Sequence, residues 1–271
     1  MCKKELCKSI AFAAVYICVC NPVAADEPSA IHANTGKASL TMRFQYRGSI
    51  PKRQVIDSSK ERFCAGKKIV DESLLVSKSL GIKNVVLTLY DRAHPEILNG
   101  DISKPQGSTV KIMYDGCRFT PRVLAIQTGQ ELLVENCDGI GHNTRVNFFA
   151  NDAHGFLVPI GGNEKFQFLK SEPAILPIEC SIHPWERAWA IVKDHPFVGI
   201  SDAEGVLTIN GLPPGKVVLR LWHESLDLKK LKHVSFPDKV EILERRKIAV
   251  AVKPGKNDFG TVTIDSSLFA H

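Results

Sequence analysis

The sequence predicts an all-β protein that contains two β-sandwiches. Short apolar or alternating runs recur along the chain, and Gly, Pro, Asn and Asp separate them. Helical periodicity with capping residues is nearly absent, and only residues 57–68 and 226–231 allow a turn or two. Dense turn signals between strands are typical of sandwiches and not of alternating α/β units.

The predicted strands are short segments bounded by turn residues. Such runs are typical of the short strands of all-β proteins. In chain order they are Ser39–Tyr46, Val85–Tyr90, Thr109–Met113, Glu131–Val134, Lys165–Leu169, Ala188–Val192 and Val217–Trp222.

The first 25 residues have the organisation of a secretory signal peptide. The opening MCKKELCK is lysine-rich, and an apolar run over residues 10–19 follows. That run is shorter than the roughly 20 residues that a membrane-spanning helix needs. Val23 and Ala25 suit the small positions before a cleavage site. We therefore predict a signal peptide over residues 1–25.

Removal of this peptide would leave a mature chain that begins with a linker over residues 26–35. The mature protein is expected to be periplasmic or secreted, without a membrane span. Lipid attachment at Cys20 is the less favoured alternative, because Ile17–Val19 lacks the small residues expected before a lipoprotein cysteine.

The formal net charge is +6, and two local basic runs contribute to it. Lys229–Lys230 and Arg245–Lys247 are not interleaved with aromatic residues, so they are more typical of solvated faces than of a nucleic-acid site. No nucleic-acid partner is predicted, and the sequence assigns these runs no function.

Three residues indicate a metal site. Cys180 and His183 lie on one loop, Cys-Ser-Ile-His, directly before a predicted strand. A loop held by a rigid sheet can point both side chains inward. The segment 123–136, which ends in Asn, leads within a few residues to His142 and supplies a third candidate ligand. His154 is the less favoured alternative to His142.

The segment 123–136, the pair His142-Asn143 and the Cys-Ser-x-His loop together resemble the cupredoxin family, in particular plastocyanin and amicyanin. The resemblance implies a Greek-key β-sandwich with one copper ion bound by His142, Cys180 and His183. It also implies that Asn143 braces the loop that carries Cys180, with Ser181 as its neighbour. A thiolate and two imidazoles suit both Cu(I) and Cu(II), so the resemblance implies one-electron transfer.

The sequence departs from the family at the axial ligand. Amicyanin-like loops run Cys-x-x-His-x-x-Met, and Glu186 stands at the last position here. If Glu186 coordinates, a hard anionic oxygen should favour Cu(II) and lower the reduction potential. If it does not, copper would be three-coordinate or would use a loop carbonyl near Gly139. Both alternatives stay open.

The residues that follow His183 suggest where a partner docks. In cupredoxins this histidine usually lies beside an apolar docking patch, so the resemblance implies docking at Pro184 and Trp185. The expected partner is a c-type cytochrome or a periplasmic dehydrogenase. Packing of Trp185 inside the sandwich is the alternative.

The carboxyl-terminal part contains a second pattern. The segment Thr208–Gly215, between the turn 201–205 and the strand 217–222, resembles carboxypeptidase-regulatory-like, transthyretin-type sandwiches. The first strands of such a domain match residues 39–51 and 84–90. The whole arrangement is similar to methylamine-utilization-type exported cupredoxins.

The two patterns predict an inserted domain, because the second pattern lies on both sides of the copper motifs. Residues 36–104 and 195–271 would form one regulatory-like sandwich, and a cupredoxin-like unit over 105–194 would be inserted between them. Two sequential domains divided near Asp194 are the alternative.

Four of the eight cysteines lie in the predicted signal peptide, and Cys64, Cys117, Cys137 and Cys180 remain. An oxidising compartment favours disulfides. If Cys180 binds metal, we favour a Cys64–Cys117 disulfide. In a metal-free sandwich, a disulfide between Cys137 and Cys180 is the alternative.

Enzyme signatures are absent from the sequence. It contains no Gly-x-Ser-x-Gly, no phosphate-binding glycine loop, no His-Glu-x-x-His and no Cys-x-x-Cys-His. We therefore expect a non-enzymatic, mononuclear copper protein that transfers electrons. A copper-free or copper-storing binding module at the cell surface is the alternative.

Overall fold

The computed structural model describes residues 38–98, 102, 105 and 109–270. The predicted signal peptide and linker lie outside these residues. Strands dominate the described ranges, and the helical segments are one turn long, which confirms the predicted all-β class. Within these ranges, no helix is long and apolar enough to cross a membrane.

The strands are numbered in chain order. They are β1 (Ala38–Arg47), β2 (Val86–Leu89), β3 (Thr109–Tyr114), β4 (Phe119–Thr120), β5 (Val123–Gln127), β6 (Glu131–Asn136), β7 (His142–Val146), β8 (His154–Val158), β9 (Asn163–Gln167), β10 (Leu176–Cys180), β11 (Arg187–Lys193), β12 (Val198–Ile200), β13 (Val206–Leu212), β14 (Gly215–Trp222), β15 (His233–Ser235), β16 (Val240–Ile242), β17 (Lys247–Val252) and β18 (Gly255–Asp265). The α-helical turns are α1 (Arg62–Ala65) and α2 (Pro95–Leu98), and Asp91–Ala93 and Ser266–Leu268 are 3-10 turns.

Strands from both ends of the described chain build the first sandwich, here called the outer sandwich. Its two sheets have the orders β13-β1-β18-β15-β16 and β12-β2-β14-β17. In β1, Leu40, Met42 and Phe44 alternate with half-buried residues and are fully buried in the core. This period of two places one face of the strand against the opposite sheet.

The strands from β3 to β11 build the second sandwich, here called the inner sandwich. Its sheets have the orders β5-β11-β10-β7-β8 and β4-β3-β6-β9. The predicted strand 165–169 begins two residues earlier in the structure, as β9. The predicted boundaries of the units, 36–104, 105–194 and 195–271, remain a prediction.

One face of the inner sandwich packs against the outer sandwich. Every residue of β5 is buried, because Leu124 and Ile126 enter the inner core while Val123 and Ala125 contact a separate cluster. That cluster also contains Val86, Ile191, Val198 and Ile200. Coverage on both faces explains why β5 is a continuous apolar run and does not alternate.

A half-buried ion pair also connects the two sandwiches. The Arg122 Nε donates to Glu224 Oε1 at 2.6 Å, and the Trp189 indole nitrogen donates to Glu224 Oε2 at 3.0 Å. The rings of Trp189 and Trp222 meet edge to face, with centroids 5.2 Å apart. Trp189 is therefore part of the junction between the sandwiches.

A disulfide joins Cys64, in α1, to Cys117, in the turn between β3 and β4, which confirms the predicted pairing. Cys64 belongs to a loop over residues 55–70, here called the cap loop. Its ends are paired through the Val55–Val70 bridge. The disulfide therefore ties a loop of the amino-terminal region to the inner sandwich.

Loss of this disulfide is expected to destabilise the protein. The bond spans 53 positions, so its removal in a Cys64→Ala/Cys117→Ala variant should lower the free energy of unfolding by about 4 kcal/mol in the chain-entropy model. Urea denaturation measures the difference, with Cys137→Ala, at an exposed cysteine, as the control. Equal stability of the two variants would contradict the expectation.

Candidate metal centre

Two neighbouring strands position the first two predicted ligands. His142 is the first residue of β7 and Cys180 is the last residue of β10, and these strands are paired antiparallel. The Ser181 N–H donates to the Asn143 carbonyl at 2.9 Å, so the pairing continues past the strand end. Asn143 and Ser181 are thus neighbours, and the contact that joins them is between their main chains.

A closed loop positions the other two residues. The Cys180 N–H donates to the Glu186 carbonyl at 3.1 Å, and the Glu186 N–H donates to the His183 carbonyl at 3.0 Å. These bonds fold residues 180–186 into a tight connection between β10 and β11. The side chains of His183 and Glu186, three and six positions after Cys180, therefore lie close to the cysteine side chain.

The four side chains of His142, Cys180, His183 and Glu186 converge, with one donor atom from each within 4.8 Å of the others. The Cys180 Sγ lies 3.5 Å from His183 Nδ1 and 4.0 Å from His142 Nδ1. The two Nδ1 atoms are 3.2 Å apart. Glu186 Oε2 lies 2.9 Å from His142 Nδ1 and 3.3 Å from His183 Nδ1. We call this group the four-residue cluster.

The spacing and chemistry of these donors fit a metal ion. Ligand bonds of about 2.0–2.3 Å at tetrahedral angles place nitrogen and sulfur donors roughly 3.3–3.6 Å apart. The observed distances between donor atoms, from 2.9 to 4.0 Å, lie on both sides of that interval. Thiolate and imidazole donors are those that copper prefers in proteins, and a carboxylate oxygen adds a harder ligand.

Burial also favours a cation at this point. The exposed fractions are 0% for His142, 3% for Cys180, 1% for His183 and 0% for Glu186. The outer Oε1 of Glu186 has no hydrogen-bond partner among the described residues. Because a buried carboxylate is costly unless a charge compensates it, an ion shared with the thiol and imidazoles would stabilise the arrangement.

The ring of His142 is held on its other sides by Tyr114 and Asp138. Tyr114 stacks on the imidazole with centroids 3.9 Å apart and an interplanar angle of 7°, and its hydroxyl is 2.8 Å from Thr144 Oγ1. The Asp138 Oδ2 lies 3.3 Å from His142 Nε2, an ion-pair distance without an aligned hydrogen bond. These contacts orient Nδ1 toward Cys180.

Asp138 is itself fixed by the turn that carries the disulfide. Its carboxylate accepts hydrogen bonds from the main-chain N–H groups of Gly116 and Cys117 at 2.8 and 2.9 Å. Both residues have positive φ, so their N–H groups point to the same side of the turn. Sequence reasoning missed Asp138; its position four residues before His142 was the available signal.

The pKa values of His142 and Asp138 depend on each other. Burial alone lowers the pKa of His142, but Asp138, Cys180 and Glu186 together raise it above its ordinary value. Burial raises the pKa of Asp138, whereas His142, the Cys117 N–H and Lys67 lower it below its ordinary value. A proton on His142 and a metal ion therefore compete for the same stabilising charges.

The cap loop covers the His183 side of the cluster. Glu61 Oε2 lies 3.6 Å from His183 Nε2, and the Phe63 ring packs against Gly139 so closely that a Cβ there would be 2.8 Å from Cε2. The indole nitrogen of Trp185 donates to the Cys117 carbonyl at 3.1 Å. Trp185 thus packs against the disulfide region.

Pro184 is exposed and Trp185 is half-buried, so the predicted docking residues differ in accessibility. Docking at these residues remains a prediction. His154, the alternative first ligand, is exposed on β8 and stacks on Phe166, and it does not belong to the four-residue cluster.

No family model matches the sequence, and no curated protein does. Solved structures show a partial likeness to cupredoxins. Amicyanin from Paracoccus versutus is 18% identical, with a TM-score of 0.29 over 34% of this chain and 86% of that chain. The copper-containing nitrite reductase from Thermus scotoductus SA-01 is 21% identical, with a TM-score of 0.29 over 35% of this chain. This chain spans 24% of the length of that nitrite reductase.

The contact of Asp138 with His142 predicts a role in metal affinity. Groups that contact the non-ligating nitrogen of a metal-binding histidine typically contribute roughly 10- to 100-fold to metal affinity. Asp138→Asn should therefore weaken Cu(II) binding by that factor. Competition with a chelator of known affinity measures the change. Asp115→Asn removes an exposed carboxylate from the neighbouring turn and is the matched control. Equal affinity of both variants would refute the role.

Proposed function

We propose that this protein binds one copper ion through His142, Cys180, His183 and Glu186 and transfers single electrons to and from a partner protein. The observation that carries the proposal is the convergence of a thiol, two imidazole Nδ1 atoms and a carboxylate at one buried point. The partial likeness to cupredoxins agrees with it at the level of the fold.

The donor set suits an ion that changes oxidation state without changing its ligands. A soft thiolate stabilises Cu(I), imidazoles accept both states, and a carboxylate favours Cu(II). The β7–β10 pairing and the closed 180–186 loop fix the positions of these donors. Because the ligands need little movement, the reorganisation that accompanies electron transfer is small. Copper would supply the one-electron redox couple.

The burial of the site favours electron transfer over catalysis. A catalytic metal keeps an open coordination position for water or substrate. Here all four side chains are at most 3% exposed, and the cap loop lies over the His183 side. An electron can cross a covering layer of protein that a substrate cannot. The alternative of copper storage shares the ligands but requires no reversible redox couple.

A disulfide is consistent with an oxidising, extracytoplasmic compartment. We extend the proposal to a periplasmic or secreted carrier whose partner is a c-type cytochrome or a periplasmic dehydrogenase. Pro184, exposed next to His183, supports docking near that end of the inner sandwich.

The thiolate ligand gives the most direct test. Cu(II) addition to the full chain should produce an intense thiolate-to-copper absorption band, and Cys180→Ser should abolish it because a hydroxyl does not supply this transition. Cys137→Ser, at an exposed cysteine, is the matched control and should keep the band. If the wild-type protein shows no such band, or if Cys180→Ser retains it, the proposed ligand set is wrong.

Replacement of the carboxylate tests the fourth ligand. Glu186→Met removes a donor that prefers Cu(II), so the reduction potential should rise, by about 59 mV for each tenfold loss of that preference. Spectroelectrochemistry measures the potential, and Glu164→Gln, at an exposed carboxylate on β9, is the control. An unchanged potential and EPR spectrum would exclude coordination by Glu186. Absence of any reversible couple in the wild type would favour copper storage.

A further inference from the structure

A cavity of about 630 Å³ lies on the outer sandwich and is lined by cationic side chains. These come from four separate segments of the chain, and we call the site the basic cavity. The cationic lining residues are Arg92, Arg220, Lys229, Lys232, Arg245, Arg246 and Lys247. Among the described residues that line it, none is acidic.

The basic cavity contains residues from both basic runs for which the sequence suggested no function. Lys229 belongs to the loop before β15, and Arg245–Lys247 form the turn into β17. Pairing of β14 with β17 brings that turn beside Arg220, whose register partner is Lys247. The fold therefore concentrates positive charge at one concave point.

Among the residues that the structure describes, the salt bridge formed by a cation of the cavity is weak. Lys247 Nζ lies 3.9 Å from a Glu244 oxygen, but Glu244 is 87% exposed, so this contact is weak. Arg220 has a buried Nε without a hydrogen-bond partner. Burial and the neighbouring Arg220 lower the pKa of Arg246. Such an arrangement destabilises the protein unless an anion offsets it.

The side chains are partly pre-organised. The cationic groups of Arg220 and Lys247 both lie over the ring of Tyr90, at 4.7 and 5.0 Å from its centroid. These cation–π contacts hold two positive charges beside one aromatic ring. These contacts therefore restrain two of the cationic groups of the cavity.

The turn that presents the arginines adopts a backbone conformation that arginine disfavours. Arg245 and Arg246 have φ values of 52° and 66°. Positions of this kind in hairpin turns usually hold Asn, Asp or Gly, and another residue there costs about 1 kcal/mol. Two consecutive arginines at these positions indicate that their guanidinium groups serve a purpose other than turn formation.

We propose that the basic cavity binds a compact polyanion that carries several phosphate groups. Guanidinium groups bind such oxyanions through paired hydrogen bonds, and lysines add point charges. The volume lies within the roughly 300–1,000 Å³ of small-molecule sites, and a concave site suits a compact ligand better than a flat protein surface. The phosphates could come from a soluble molecule or from a lipid headgroup.

Inorganic tripolyphosphate is the probe, and isothermal titration calorimetry on the full chain measures its binding. We expect one site whose affinity falls as salt rises. Arg245→Asn/Arg246→Asn should weaken binding at least tenfold, and Asn tolerates the left-handed turn, so the fold is retained. Lys216→Gln/Lys256→Gln removes two exposed charges outside the cavity and should leave affinity within about twofold of the wild type.

Two outcomes would overturn the proposal: no tripolyphosphate binding, or an equal loss in both double variants, which would indicate attraction to net charge alone. Sedimentation with anionic phospholipid vesicles then identifies the source of the phosphates. Vesicle binding that tripolyphosphate displaces identifies a lipid headgroup, and its absence beside tight tripolyphosphate binding identifies a soluble ligand. The basic cavity contains none of the four metal-site residues, so this test is independent of copper binding.

Discussion

The pairing of β7 with β10 decides whether the metal-site side chains meet. Cys180 is opposite Thr144 in this ladder, and the Ser181–Asn143 hydrogen bond extends it by one step. Because strand side chains alternate between faces, a slip of one residue would turn the cysteine to the other face of the sheet. The tight connection to β11 then places His183 and Glu186 relative to that fixed sulfur. The centre therefore depends first on main-chain register and only then on the identity of its ligands.

The surroundings of the centre come from outside its own sandwich. The cap loop, which precedes the inner sandwich in the chain, contributes Glu61 and Phe63 near His183 and Gly139. The Cys64–Cys117 disulfide fixes that loop on the same turn whose N–H groups hold Asp138. The turn that contains Gly116 and Cys117 therefore anchors both the cap loop and the Asp138 carboxylate that contacts His142.

Local patterns predicted the fold class well because strand alternation and turn residues act over a few positions. The alternation in β1 and the Cys-Ser-x-His loop are short-range features of this kind. Asp138 was not predicted because its position four residues before His142 does not by itself show that the turn brings the two side chains together. The boundaries of β9 were shifted, since its exposed residues give little information about where pairing ends.

The basic cavity shows that sequence patterns also fail to predict contacts between segments that are distant in the chain. Each basic run, taken alone, is an ordinary solvated segment. The two runs meet because β15 pairs with β16 and the Leu243 N–H donates to the Lys232 carbonyl. Likewise, no sequence pattern indicated a role for Glu224, although its carboxylate accepts hydrogen bonds from Arg122 and Trp189 of the inner sandwich. Contacts between distant segments are properties of the folded chain, and single-sequence patterns do not report them.

The burial of β5 on both faces affects whether the inner sandwich can exist as a separate fragment. Val123 and Ala125 face the other sandwich, so a fragment that contained only the inner sandwich would expose an apolar sheet face to water. An exposed apolar face of this kind favours self-association of the fragment. The inner sandwich therefore depends on the outer sandwich to cover β5, and a substitution on that face of β5 would affect the packing of both sandwiches.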